Sequence, residues 1–236
     1  MQRLLMYCCF SLLCYIAASQ KTIDVDKESD RALTYLYTVG GTPFITAKFA
    51  RVVEGSPFFN EQKMRGAIIL SEGKEYKNIL LRLNLLESQV NYLNEKEVEL
   101  IASTPVREIV LWDTINNHDH RFIFSDYIKT TDKPEKDFYE LLQAGKAELY
   151  KQYKKRILEN KPYGSATVEQ TIQTNLRYYV LLNDTWIKLN KLKDLPNTFP
   201  GKRVEISKFI SDNRLSGDTE KNFEAVVSYY NSLVSQ

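Results

Sequence analysis

From residue 171 to 182 the chain changes character at every step. Ile172, Thr174, Leu176, Tyr178, Val180 and Leu182 fall on one side, and Gln173, Asn175 and Arg177 on the other. A helix, with its period of 3.6, would scatter that set around its circumference. Only an extended strand with one dry face collects it. The same period recurs upstream, where Ile79, Leu81, Leu83 and Leu85 oppose Asn78, Arg82 and Asn84, with Leu80 the exception.

Shorter runs fill the space between. Residues 66–70 are apolar, and Glu72-Gly73 marks a hairpin turn before Tyr76. Val90 and Tyr92, Val98 and Leu100, then Val106, Val110 and Trp112, then Phe122 and Phe124 continue the pattern. Strands this close in sequence predict antiparallel neighbours in a β-meander. Residues 128–137 are polar, contain Pro134 and read as a loop. In 138–160, Tyr150, Tyr153 and Ile157 have helical spacing, but Ala144-Gly145 suits a hairpin, and two strands are the preferred reading. The composition agrees, with 15 Tyr and 11 Phe in 236 residues.

After residue 190 the period lengthens. Leu192, Leu195 and Phe199 are spaced as on a helix, which Pro200-Gly201 ends. Ile206, Phe209 and Ile210 form a second stripe, and Phe223, Val226, Val227, Tyr230 and Leu233 a third, entered through Asp218, Thr219 and Glu220. Helices this short are marginal alone and must dock on the sheet or on each other. The predicted fold is therefore α+β: an antiparallel β-meander forming a bent sheet or open barrel, followed by two or three short C-terminal helices. The expected divisions are 1–19 as a signal peptide, 20–53 as an N-terminal arm and early strands, 54–190 as the β domain and 191–236 as the helical segment.

The signal is read from Arg3, the apolar run 4–18, and the small residues Ala17 and Ser19 ahead of a cut before Gln20. The alternative is retention as an N-terminal anchor. Lipid attachment is not expected, because Leu13 precedes Cys14 and Tyr7 precedes Cys8. Cys8, Cys9 and Cys14 all lie within the signal, so cleavage leaves a chain without disulfides, thiolate catalysis or cysteine-bound metal. Export to the periplasm or cell envelope follows as the expectation.

Motifs of chemistry are few. His118-Asp119-His120 holds both histidines of the chain. On a strand the two rings point the same way, as one zinc or nickel ion would need, yet no third ligand is identifiable from spacing. Asn116-Asn117 just before makes a solvated hairpin tip the plainer reading, so no metal or other cofactor is expected. Glu95, Glu97 and Glu99 alternate, as on a wetted sheet face. Ser165 lacks the glycines of a nucleophile elbow. The nine glycines form no phosphate-binding loop. Lys151, Lys154, Lys155 and Arg156, interleaved with Tyr150 and Tyr153, are the one place for peripheral contact with lipid headgroups, although a solvated strand end is the preferred reading. Against 30 acidic residues, 32 basic ones leave a net charge of +2, which supports no nucleic-acid partner.

Several short markers occur in a familiar order. Gly55-Ser56-Pro57-Phe58 precedes Gly66-Ala67-Ile68-Ile69-Leu70 and Gly73-Lys74-Glu75-Tyr76. Phe138-Tyr139-Glu140-Leu141-Leu142 and Gly145-Lys146 follow. Phe199-Pro200-Gly201-Lys202-Arg203, Asp212-Asn213-Arg214-Leu215 and Tyr229-Tyr230-Asn231-Ser232-Leu233 close the series. From Gly55 onward the chain resembles a family of uncharacterised exported envelope proteins of Bacteroidota-type bacteria. Gly201 departs from it, since an acidic residue is expected after the proline. The resemblance implies an envelope location and a sheet-plus-helices build, and no activity. Two functions remain: a non-enzymatic envelope protein that binds another protein or fills a structural role, or a carrier of an apolar ligand or lipid in the hollow of the sheet. Leu81, Leu83, Leu176, Tyr178 and Val180 are the residues expected to face such a ligand.

Overall fold

The computed structural model describes residues 22–24, 41–45, 49, 51–94, 96–161, 163–164 and 167–234. The signal and most of the N-terminal arm lie outside the described residues, as do Glu95 and Ser165. Ten strands form the body: β4 Met64–Leu70, β5 Glu75–Asn84, β6 Gln89–Leu93, β7 Glu99–Ala102, β8 Val106–Asp113, β9 His118–Phe124, β10 Phe138–Gln143, β11 Ala147–Asn160, β12 Glu169–Leu182 and β13 Thr185–Leu189. Three short ones lie along their edges: β1 Thr22–Asp24 runs parallel to β5, β2 Gly41–Pro43 antiparallel to β7, and β3 Val52–Glu54 parallel to β12. All belong to one mixed sheet of 13 strands, whose main path runs β13-β12-β11-β10-β9-β8-β4-β5-β6-β7-β2. The first and last strands of that path are not paired with each other, so the sheet is open.

The pairing corrects the simple meander. β8 returns to the free edge of β4 instead of adding to β7. A flat sheet would then put β7 and β8 four spacings apart, about 19 Å at 4.8 Å per strand. Only residues 103–105 join them, and the stretch from Ala102 to Val106 reaches about 14 Å at most. The sheet must curl, and its bend follows from this one short link. The central placement also suits β8, whose Ile109 and Leu111 become fully buried.

The curled face closes on itself. Ile68, Leu70, Tyr76, Leu81, Leu83, Tyr92, Ile109, Leu111, Phe122 and Phe138 form the main core. At the far side of the sheet, Ala147, Leu149, Val180 and Leu182 continue the same face and are roofed by helices. Those helices are α1 Leu195–Thr198, entered through a 3-10 turn at Leu192–Asp194, α2 Arg203–Asp212 and α3 Glu220–Val234. The Thr219 carbonyl and hydroxyl accept from the first free amides of α3, as its sequence predicts. Phe223, Val226, Val227 and Tyr230 are its buried stripe.

The opposite face of β9–β13 is also covered. There Tyr139, Tyr150, Tyr179 and Trp186 cluster, with Tyr179 and Trp186 stacked at 5.0 Å. The 128–136 loop lies over them, bonded through Thr131 to the Asp184 carbonyl. Both rings of Tyr178-Tyr179 are therefore used, Tyr178 against Phe223 and Tyr179 against Trp186. The same holds for Tyr229-Tyr230, which stack on Phe209 and Phe199.

The acidic stretch near residue 97 is a second correction. Glu97 sits in a turn at φ 58°, and Glu99 opens β7. The Glu99 carboxylate is held by the Arg82 guanidinium at 2.7 Å and by Lys63 at 3.1 Å. It closes an internal ion pair instead of facing water.

Candidate functional site

One row of side chains crosses the concave face where the apolar core gives way to polar groups. Strand pairing sets it: Phe122 lies opposite Glu140, Glu140 opposite Lys151, Lys151 opposite Tyr178. His120 and His118 flank the row on β9, one and two steps of the alternation from Phe122. Glu220, the first residue of α3, closes it from above.

Glu140 is the hub. Only 2% of its side chain is exposed, yet both oxygens are satisfied. Oε1 meets His120 Nδ1 at 2.5 Å, and Oε2 accepts from the Tyr153 hydroxyl at 2.6 Å. Lys151 Nζ stands 3.7 Å from Oε2. Burial pushes the Glu140 carboxyl up, but the bonds from His120 and Tyr153 and the Lys151 charge outweigh it and hold the group below its ordinary range. Lys151 donates to Glu220 at 2.6 Å, and the Tyr178 hydroxyl donates to the same oxygen at 3.0 Å. Burial, then the neighbouring carboxylates, raise the Tyr153 and Tyr178 phenols, so both stay protonated donors at neutral pH. Burial also raises Glu224, one turn along α3 from Glu220.

The two histidines meet as the strand period predicts. Their ring centres are 4.9 Å apart at 83°. Phe59 packs its edge on His120 at 4.8 Å. Asp113, directly opposite His118 on β8, places Oδ2 3.9 Å from His120 Nε2. Hydrogen bonds from the Asn116 side chain and backbone hold the Asp113 carboxyl below its usual range. Asp119 falls on the other face of β9 and takes no part. Among the described residues, His118, His120 and Glu140 form one group whose ligand atoms all lie within 4.8 Å of one another.

The sequence reading placed neither Glu140 nor Glu220 in a site, and took Lys151 and Tyr153 only as part of a basic run. A signal existed for Lys151, which interrupts the dry face formed by Ala147, Leu149 and Tyr153. The remaining basic run is largely occupied internally. Lys155 donates to the Ser56 and Phe58 carbonyls at 2.8 Å each, Lys154 pairs with Glu135 at 2.8 Å, and Arg156 bonds to Gln173.

The expected ligand-facing residues separate into two sets. Leu81, Leu83 and Val180 are closed in the cores, and Tyr178 is half-buried under α3. Leu176 is 49% exposed. It lies where β11 and β12, paired without a break from Ala147↔Leu182 to Asn160↔Glu169, run past the rest of the sheet. Ile157 and Leu158 are exposed on the same ribbon, and Tyr163 at its tip is wholly so. β13 covers the outer edge of β12 up to Tyr178, and β3 covers Gln170 and Thr171. Among the described residues no strand pairs with that edge in between.

Compared with known proteins, the chain matches no family model, no curated protein and no solved structure. No helix among the described residues is long and apolar enough to cross a membrane.

Proposed function

We propose that the protein is an exported, non-enzymatic envelope protein of the Bacteroidota-type family it resembles, and that it binds another protein through the β11–β12 ribbon. The uncovered stretch of β12 carries the reading. Between residues 173 and 177, the backbone amides and carbonyls that point away from β11 offer an incoming strand a short hydrogen-bonding template. Leu176 and Ile157, on one face by register, supply apolar contact beside it. In the polar row the charges neutralise one another, which fits a positioning role for these groups better than proton transfer.

The alternative, a carrier of an apolar ligand, draws less support. Leu81, Leu83 and Val180, which would line its cavity, are packed in the two cores instead. The cavity between Val90, Val106, Phe124 and Phe138 is about 230 Å³, below the ~300–1,000 Å³ of ordinary ligand sites. The larger cleft of about 610 Å³ is lined by Lys129, Lys146, Glu148, Asn183 and Asp184 as well as by apolar residues, a poor match to an apolar ligand.

The test is purification from the native envelope of wild type beside a Leu176→Asp/Ile157→Asp variant. A protein partner held by wild type and lost from the variant, with thermal stability changed by less than about 0.5 kcal/mol, is expected. A partner retained equally by the variant refutes docking on the ribbon. A lipid carried by wild type in native mass spectrometry favours the carrier.

A further inference from the structure

We propose that the mouth of the concave face binds one divalent cation of the zinc class through His118, His120 Nε2 and Asp113, with Glu140 holding the His120 ring in place. The inference is independent of the ribbon and rests on three pieces of geometry.

First, the rings are spaced for a shared ion. Two imidazoles on one tetrahedral ion, bound at ~2.0–2.1 Å, have centres about 5 Å apart. The His118 and His120 centres are 4.9 Å apart. Second, Asp113 Oδ2 faces His120 Nε2 at 3.9 Å. Two ligands of one tetrahedral ion stand about 3.4 Å apart, so a closure of about half an ångström completes the pair. Asn116 fixes the Asp113 carboxylate through three hydrogen bonds, shared with Ile115.

Third, Glu140 assigns the tautomer. Its Oε1 lies 2.5 Å from His120 Nδ1, closer than two ligands of one ion can sit, so the contact is a hydrogen bond with Nδ1–H donating. The Nε2 lone pair is then directed at a carboxylate oxygen. That leaves Nε2 and Asp113 Oδ2 as two lone-pair donors 3.9 Å apart, an arrangement one metal ion can share. A carboxylate bonded to the far nitrogen is also the support that metal-binding histidines ordinarily have. Tyr153 and Lys151 fix that carboxylate in turn.

The donor set selects the metal. Two imidazoles and a carboxylate suit zinc, nickel or copper, whereas calcium and magnesium need six or more oxygens. The side chains of His120 and Asp113 are 20% and 18% exposed, so an ion can enter from solvent. Glu224 of α3 lies within electrostatic reach of His118 and adds negative potential at the entrance.

The experiment uses the full chain without a histidine tag, stripped by chelator, with Zn²⁺ followed by calorimetry and Co²⁺ by its visible absorption. One ion per chain at micromolar Kd or tighter is expected, with Co²⁺ bands of tetrahedral intensity. His118→Ala and His120→Ala should each weaken Zn²⁺ at least tenfold. Glu140→Gln should weaken it about 10–100-fold while leaving the ligands themselves in place. Asp119→Asn, off the face, should change nothing. His118 is exposed at the hairpin, so its variant stays folded even if a Glu140 variant does not. Affinity no tighter than about 1 mM, or affinity unchanged in His118→Ala, overturns the site.

Discussion

Asn231 and Gly145 are 86 positions apart, and the structure makes them one device. The Asn231 side chain accepts from the Ala147 amide at 2.8 Å and donates to the Ala147 carbonyl at 2.9 Å. It thereby bonds α3 to the start of β11 as a neighbouring strand would. A Cβ at position 145 would stand 2.3 Å from Asn231 Nδ2 and 2.6 Å from its Cγ. An ordinary contact needs about 3.4 Å or more, so Gly145→Ala must drive the amide away by about 1 Å and break both bonds. Ala147 is fully buried, and each unsatisfied backbone group costs ~1–3 kcal/mol. Either Gly145→Ala or Asn231→Ala should therefore cost about 3 kcal/mol, or ~6–12 °C in Tm for a chain of this size. The double variant should cost only about 1 kcal/mol more than Asn231→Ala alone, the strain of an alanine at φ 154°, because that alanine no longer meets an amide. A double-mutant cycle by urea unfolding should return a coupling of about 2–3 kcal/mol. Additivity within about 0.5 kcal/mol would refute the reasoning, since the two residues would then act separately.

Two further outcomes are expected. Glu99→Gln should destabilise by about 2 kcal/mol at pH 7, because Arg82, Lys63 and Asn91 all donate to this carboxylate. Although burial pushes the Glu99 carboxyl up, those donors leave it below the ordinary range, so its stabilisation is complete above the unfolded value near ~4.3 and is lost as pH falls through the folded one. The gap in Tm between wild type and variant should then close in acid, and a gap constant from pH 7 to 3 would contradict this. Gly201→Ala should cost about 1 kcal/mol by chemical denaturation, the price of a left-handed conformation at φ 73° with nothing within 4 Å of the added carbon. A neutral result would mean the turn after α1 relaxes.

Strand positions were legible because a half-buried strand writes its burial into alternate residues. Residues 79–85 and 171–182 carry that pattern, and the Asn183-Asp184 turn, with φ of 49° and 62°, is of the kind such residues favour. Strand order was not legible. Nothing in the composition of β8 distinguishes pairing with β7 from pairing with β4, because both partners would offer a dry face. Gly201 becomes intelligible only with the backbone: position 201 adopts φ 73°, which glycine takes without strain.

The polar row shows the same limit at the level of chemistry. His118 and His120 were visible as a pair because period two governs neighbours on one strand. Glu140, Lys151 and Tyr178 come from three other strands, and their alignment depends on register, which is set by the Gly145 hairpin and the Asn183-Asp184 turn together. A slip of one residue in β10 would turn Glu140 to the outer face and bring Tyr139 or Leu141 against His120. The carboxylate that orients the imidazole therefore depends on the same hairpin that Asn231 clamps to α3. Displacing the clamp without unfolding the chain should loosen the His120–Glu140 bond as well as lower Tm. A coupled loss of Zn²⁺ affinity in Asn231→Ala would tie the candidate site to the docking of the tail, and unchanged affinity would show that β10 keeps its register through pairing with β9 alone.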